Sequence, residues 1–179
     1  PDPRFRKTVV YIWRHDVSGA AGVVINKKCQ QPDFKHICNE GLVHRLPKVN
    51  HPVYYGGPIL TNVVGVLHST DFILSSTNTL TEDKVGFTLD RKMLEVIARG
   101  QGPKNMLITL GMANWTTGQL EEELEHPRNP AMSWLIMDYD EKFVFGQLDD
   151  DKPDDLWESC VSQAIRNKTQ EITSKIFKD

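Results

Sequence analysis

The chain has 179 residues, of which 39% are hydrophobic and 25% charged, with a formal net charge of −3. That mixture describes one globular domain with at most a small appendage, and excludes a disordered or low-complexity chain. No apolar run reaches the ~18 residues of a membrane span, no signal-peptide pattern opens the chain, and the acidic balance argues against a generic nucleic-acid binder.

The first residues, Pro1-Asp-Pro-Arg-Phe5, lack a methionine and leave room for an upstream extension and a further strand before Pro1. Thr8–Trp13 is β-branched and aromatic and predicts a strand; Gly22–Asn26 predicts a second. The short loop of small residues between them makes antiparallel pairing the expectation, because a parallel crossover needs a dozen residues or more. Lys27–His51 is broken by Pro32, Gly41 and Pro47, with a short helix over Phe34–Glu40 capped by Asp33. Pro52–Tyr55 predicts a short strand that ends in the hard turn Gly56-Gly57-Pro58. Val63–His68 and Gly86–Leu89 predict two more, separated by a polar surface stretch at Asp71–Asn78.

Asp90 caps a predicted helix whose apolar residues, Met93, Leu94, Ile97 and Ala98, recur at helical spacing, and Gly100 suits its C-terminal stop. The apolar run Met106–Leu110 then predicts a buried strand ending at Gly111. A helix follows, with Thr116 as N-cap, Gln119 three residues on to complete a capping box, and Trp115 with Leu120 as a hydrophobic staple. His126-Pro127 ends that helix. Ser133–Asp138 and Lys142–Phe145 predict two strands joined at Tyr139–Glu141. The acidic run Asp149–Asp155 leads into a last helix with Pro153 in its first turn and the stripe Leu156, Trp157, Cys160, Val161, Ala164, Ile165, Ile172, Ile176.

This order of elements does not alternate strand and helix. The predicted class is α+β: a mixed, mostly antiparallel sheet, curling toward a partial barrel, with helices packed on it. Residues 1–148 form the predicted domain, and 149–179 an acidic linker and a C-terminal helix that packs on it or extends it. Cys29, Cys38 and Cys160 are odd in number and form no CxxC pair, which fits free thiols and a cytoplasmic location.

Asp2-Pro3 with Phe5, Thr8–Ile12, His15, Gly19-Ala20, Gly22–Lys27, Val53–Pro58, Leu67-His68-Ser69, Leu110-Gly111, Trp115–Glu121 and Trp134-Leu135 follow one another in a definite order and spacing. Together these stretches resemble the AlgH/YqgE family. The resemblance implies an AlgH-like domain and a bacterial cytoplasmic protein. Members are mostly of uncharacterised biochemistry, one is named as a transcriptional regulator of alginate production, and no catalytic residue or cofactor is agreed. Two features depart from the pattern: Met112 and Asn114 stand where the family more often has tyrosine and glycine, and His126-Pro-Arg-Asn-Pro130 resembles an insertion.

The polar and amphipathic residues inside the matching blocks, His15, Asn26, His68, Trp115, Gln119 and Glu121, form the candidate functional cluster. Each also has a structural explanation. Asn26 suits a turn, Gln119 a capping box and Trp115 a staple, and the histidines can satisfy backbone carbonyls. No nucleophile elbow, zincin motif or Walker A sequence is present. His36, Cys38 and His44, with Cys29, match no common zinc spacing, and Asp149–Asp151 with Asp154 and Asp155 match no EF-hand, so neither a metal nor a cofactor is expected. The expectation is a protein that acts through an unidentified protein partner and not by catalysis, without contacting DNA directly. The competing expectation is a small-molecule-binding or hydrolytic enzyme with a site near His15, His68 and the Gly56-Gly57-Pro58 turn.

Overall fold

A computed structural model describes residues 2–80, 84–125, 133–146 and 153–176. Its strands are β1 (Val10–Asp16), β2 (Gly19–Val24), β3 (Val53–Tyr55), β4 (Ile59–Ser69), β5 (Asn78–Leu80), β6 (Val85–Thr88) and β7 (Met106–Thr116). Its helices are α1 (Phe34–Ile37), which continues as a wider turn over Cys38–Leu42, α2 (Arg91–Ala98), α3 (Gln119–Glu125), α4 (Glu141–Val144) and α5 (Pro153–Ile176). The sheet runs β1-β2-β7-β4-β6-β5, with β3 lying parallel against β7 and every other pair antiparallel. The two ends of this path approach each other. β1 lies against β5 and β6, and Trp13 of β1 stacks on Phe87 of β6 with ring centroids 4.7 Å apart. The α+β class with a nearly barrel-shaped sheet is what the sequence predicts.

β7 organises the sheet, and Gly111 organises β7. The residue has φ +78°, a left-handed conformation that glycine takes without steric cost. A Cβ there would sit 2.4 Å from the Gly57 carbonyl oxygen. Ile59 pairs with Met112 and Val64 with Leu110, so Leu60–Val63 all face this single residue. The resulting bulge resets which side chains point inward. Before it, Met106, Ile108 and Leu110 pack with α1 and α2; after it, Met112 joins the opposite core, while Ala113 and Trp115 face outward. The strand therefore continues to Thr116 instead of ending at Gly111 as predicted.

The inner core gathers Tyr11, Trp13, Val23, Leu67, Phe87 and Met112 with Phe143 of α4 and Leu156 and Cys160 of α5. α4 and α5 sit at the end where β1 and β7 begin: Lys7 Nζ lies 5.5 Å from the Trp157 ring, and Asn105 Nδ2 donates to Glu141 Oε1 at 3.2 Å. On the other face, Phe34, Ile37 and the four predicted residues of α2 cover Val53, Val64, Val66 and Ile108. Asp33 and Asp90 cap α1 and α2 as predicted, accepting from the His36 and Lys92 N–H groups at 2.9 Å each.

Three expectations are corrected. Residues 133–140 form no strand, and Lys142–Val144 lies on α4, with Phe145 as its C-cap, because Asp140 accepts the Lys142 N–H at 3.0 Å and opens a helical turn there. Asn78–Leu80, at the end of the predicted surface stretch, is an edge strand. Ile165, placed in the apolar stripe of the last helix, is exposed, whereas Leu156, Cys160 and Ala164 are buried. His126-Pro127, the insertion at 126–130 and the acidic residues 149–151 lie outside the described residues. No described helix is long and apolar enough to cross a membrane.

Candidate functional site

The turn between β7 and α3 brings together four of the six candidate residues. Gly118, with φ +73°, lets the chain leave β7 and enter α3 at Gln119, two residues later than a Thr116 N-cap would give. Gln119 Oε1 accepts both the Thr116 N–H at 3.0 Å and the Thr116 hydroxyl at 3.2 Å. Half of the capping box thus forms; the hydroxyl turns to the glutamine instead of to a helical N–H. Leu120 packs on the cluster around Trp115, as a staple does.

Trp115 is buried on the outer face of β2 and β7. Phe5 stacks on it at 6.1 Å and Trp134 meets it edge-on at 6.0 Å. Both indole N–H groups converge on Glu123 Oε2, Trp115 at 3.2 Å and Trp134 at 2.8 Å, while Gln119 Nε2 donates to Glu123 Oε1 at 3.0 Å. Glu123 is therefore the hub of this corner, with three donors on one carboxylate. The sequence marks Glu123 only as one of three successive glutamates that the helix start does not explain, and leaves unread its role as hub and the partnership of Phe5 and Trp134. The i, i+4 spacing of Gln119 and Glu123 was the readable clue; the indoles come from distant segments.

His15, exposed at the end of β1, donates Nε2–H to Glu121 Oε1 at 2.5 Å, and this bond holds the Glu121 carboxyl below its usual range. Thr117 donates its hydroxyl to the Val17 carbonyl at 3.2 Å, so the β1–β2 hairpin is tied twice to the start of α3.

Asn26 and His68 lie elsewhere. Asn26 is buried at the end of β2, where Oδ1 accepts the Val9 N–H at 2.8 Å and Nδ2 donates to the Lys7 carbonyl at 3.0 Å. It pins the segment that leads into β1. His68 is 0% exposed. Its Nδ1 donates to the Ser69 carbonyl and Nε2 accepts from the Thr88 hydroxyl, both at 2.9 Å, and burial lowers its pKa. His15 is level with Trp115 and His68 with Met106 along β7, a separation on the order of 25 Å. The two imidazoles share no cleft. The Gly56-Gly57-Pro58 turn packs against β7 between them: the Gly56 N–H donates to the Leu110 carbonyl at 2.8 Å, and its own carbonyl accepts the Val24 N–H at 2.8 Å. Both Gly56 backbone groups are thus used within the fold, and Pro58 has no N–H, so the turn offers no pair of adjacent free donors to a ligand.

Elsewhere, an open groove of about 680 Å³ between α4 and α5 is lined by Lys142, Asp155, Glu158 and Arg166 among others. It mixes charges of both signs and encloses nothing. Among the described residues no three His, Cys, Asp or Glu side chains converge on a metal position.

The fold and this corner thus define a near-barrel α+β protein. The AlgH-like family model matches residues 1–168, and the chain belongs to that family. A UPF0301 protein from Methylobacterium nodulans is 35% identical over 161 residues, covering 86% of this chain and 74% of the relative. One from Marinomonas sp. is 36% identical over 146 residues, covering 80% and 74%. Among solved structures, the AlgH protein from Pseudomonas aeruginosa superposes with a TM-score of 0.72 at 30% identity, over 92% of this chain and 82% of that one. A Corynebacterium diphtheriae protein, at 18% identity and a TM-score of 0.60 over 88% and 77% of the chains, shares the fold.

Proposed function

We propose that this protein works through contacts with another protein and not by catalysis. The observation that carries this reading is the set of exposed apolar side chains in two segments tied to the α3 corner, the β1–β2 hairpin through Thr117 and the stretch after Trp134 through Glu123. Val17 is 94% exposed and Ile136 74%, with Leu135 about half exposed beside the Trp134–Trp115 cluster. A contiguous apolar patch rimmed by charge is a common mark of a protein contact, and these three side chains are the ones that would build it here. The edge here is acidic: Glu121, Glu122 and Glu125 are all exposed on α3. The regulatory role that the AlgH-like resemblance implies then runs through a partner and not through DNA, because a chain of net charge −3 gains little from phosphate contacts.

Photo-crosslinking in the native cell tests the reading. A crosslinker at Ile136 should capture a discrete, saturable protein partner, while one at Lys168 on α5 should not. Ile136→Lys should abolish capture by a crosslinker at Val17. Tight, saturable binding of genomic DNA in a low-salt gel shift, with no capture at either position, would overturn it.

A further inference from the structure

β1 has one irregularity in its pairing with β2, and it falls at Trp13. Ile12 opposes Gly22 and Arg14 opposes Ala21, so Trp13 is an extra residue. A bulge of this kind aims two successive side chains at the same face. Here the face is the inner one, since Trp13 and Ala21 both belong to the inner core. Trp13 is 8% exposed, stacked on Phe87, with the Arg14 guanidinium 5.8 Å from its ring centroid. Trp13 Nε1–H and Arg14 Nε–H are both buried, and neither has a hydrogen-bond partner. Asp16 Oδ2 forms an ion pair with Arg14 Nε at 3.9 Å, too long for a hydrogen bond, and Asp16 Oδ1 already accepts the Ser18 N–H and hydroxyl.

Indole and guanidinium N–H groups donate and never accept. Two such donors buried on successive residues without a hydrogen-bond acceptor are uncommon in native proteins, and each asks for an explanation, an ordered water or a bound ion among them. The neighbouring strand supplies a third donor. Ala113 and Trp115 face outward, so Asn114 between them faces inward, directly opposite Ala21. Asn114 is exposed, and its amide has no partner among the described residues. Arg14, Ala21 and Asn114 thus form one row across three strands, with the small alanine leaving space between two polar side chains about 10 Å apart at the backbone. The row lies at the end of the sheet away from α4 and α5, whose contacts are with Lys7 and Asn105.

We propose that the Trp13–Arg14 bulge, with Asn114 across Ala21, is a binding site for a small oxyanion, a carboxylate or a phosphate. One ligand oxygen accepts from Trp13 Nε1–H and Arg14 Nε–H, and the Asn114 amide donates to a second. The charge of Arg14 is what selects an anion over a neutral carbonyl, because hydrogen bonds between ionised partners are roughly twice as strong as neutral ones. The site is separate from the apolar side chains exposed at the α3 corner, and it stands or falls independently of the protein-contact reading.

The test uses the full chain labelled with nitrogen-15. Its four indole N–H signals are observed while sodium acetate or sodium phosphate replaces sodium chloride at constant ionic strength and neutral pH; Trp13→Phe assigns the Trp13 signal. With acetate or with phosphate that signal should move downfield and saturate, while Trp115, Trp134 and Trp157 stay in place; whichever anion saturates it identifies the ligand class. Arg14→Met keeps the apolar stem on Trp13 and should weaken binding by about tenfold or more, as expected on losing a charge-assisted hydrogen bond. Asn114→Leu, at an exposed position that the fold does not depend on, should also weaken it. A Trp13 signal that responds to neither anion beyond the chloride control overturns the proposal and leaves the two donors to an ordered water. A response undiminished in both Arg14→Met and Asn114→Leu overturns it as well.

Discussion

His68 Nδ1–H donates to the Ser69 carbonyl, which leaves Nε2 as the acceptor for the Thr88 hydroxyl. Thr88 in turn bonds the Thr77 hydroxyl at 2.8 Å, and Thr77 Oγ1 accepts the Leu74 N–H at 2.9 Å. Every donor in this chain points one way. A second proton on the ring would sit on Nε2 and reverse the chain as far as Thr77. Burial, the main cause, lowers the His68 pKa from its ordinary value of 6.5, against smaller opposing effects of the Ser69 carbonyl and then of Asp71. The unfolded chain therefore takes up the proton first, and stability falls as the pH drops below about 6.5. Urea midpoints measured at about pH 7.5 and about pH 5.5 should show this loss, and His68→Gln should shrink the difference. Some of the slope should survive, since burial lowers the pKa of His51 in the same direction. Burial also acts on the thiols. Cys160 is pushed up to about 11 and Cys29 and Cys38 are raised, so at neutral pH only about one Cys160 in ten thousand is a thiolate. An aromatic disulfide reagent should label the native protein slowly at all three positions and rapidly in urea; fast native labelling of Cys160 would show the inner core to be looser than described.

At the scale of elements, the sequence is most readable where local signals agree. α2 has an N-cap in Asp90, four apolar residues on one face, and Gly100 at the C-terminal stop, where its N–H donates to the Ile97 carbonyl at 2.8 Å. All four of those apolar residues are buried as their spacing implies. Asp90→Ala should cost about 1 kcal/mol in urea denaturation, the usual loss on deleting an N-cap. Gly111→Ala should cost more, about 2 kcal/mol or above, because a left-handed residue acquires a Cβ and that Cβ meets the Gly57 carbonyl. Gly111 looked like a strand terminator in the sequence, and glycine at a turn and glycine in a bulge leave the same trace. The apolar run Phe143-Val144-Phe145 after Lys142 reads as a strand for a similar reason. Four residues are too few for periodicity to separate strand from helical turn, and the Asp140 cap decides it. The candidate site divides along the same line. Trp115, Thr116, Gln119 and Leu120 are neighbours in sequence, so their joint work at the helix start was legible. The His15–Glu121 bond spans 106 residues, and Glu123 collects indoles from two separate segments; no local pattern encodes either. The pairing of Arg14 with Asn114 across Ala21 needs the Trp13 bulge, which leaves no mark in the sequence at all.

For the molecule as a whole, the two large cores lie on opposite faces of one curled sheet and share their strands. β4 sends Val64 and Val66 to the face under α1 and α2 and Leu67 to the inner core; β7 sends Ile108 to the first and Leu107 and Met112 to the second. Neither core can lose these strands without the other losing them too. Cys38 reports on the core under α1 and α2 and Cys160 on the inner one, each from a buried position. Pulsed thiol labelling across a urea gradient should therefore give one midpoint for both cysteines, and the same midpoint by tryptophan fluorescence, as two-state unfolding requires. The corner beside α3 is different in kind. Among the described residues its buried members are Ala20, Ala113 and Trp115, the rest being half-buried, and its contacts to α3 can open while β2 and β7 remain paired. Amide exchange in α3 should accordingly be faster than in the central part of β7 under native conditions, with an opening free energy below the global value. Two separated midpoints for Cys38 and Cys160 would mean that β4 and β7 do not couple the cores, and equal protection of α3 and β7 would mean that the corner is bound into them as firmly as the rest.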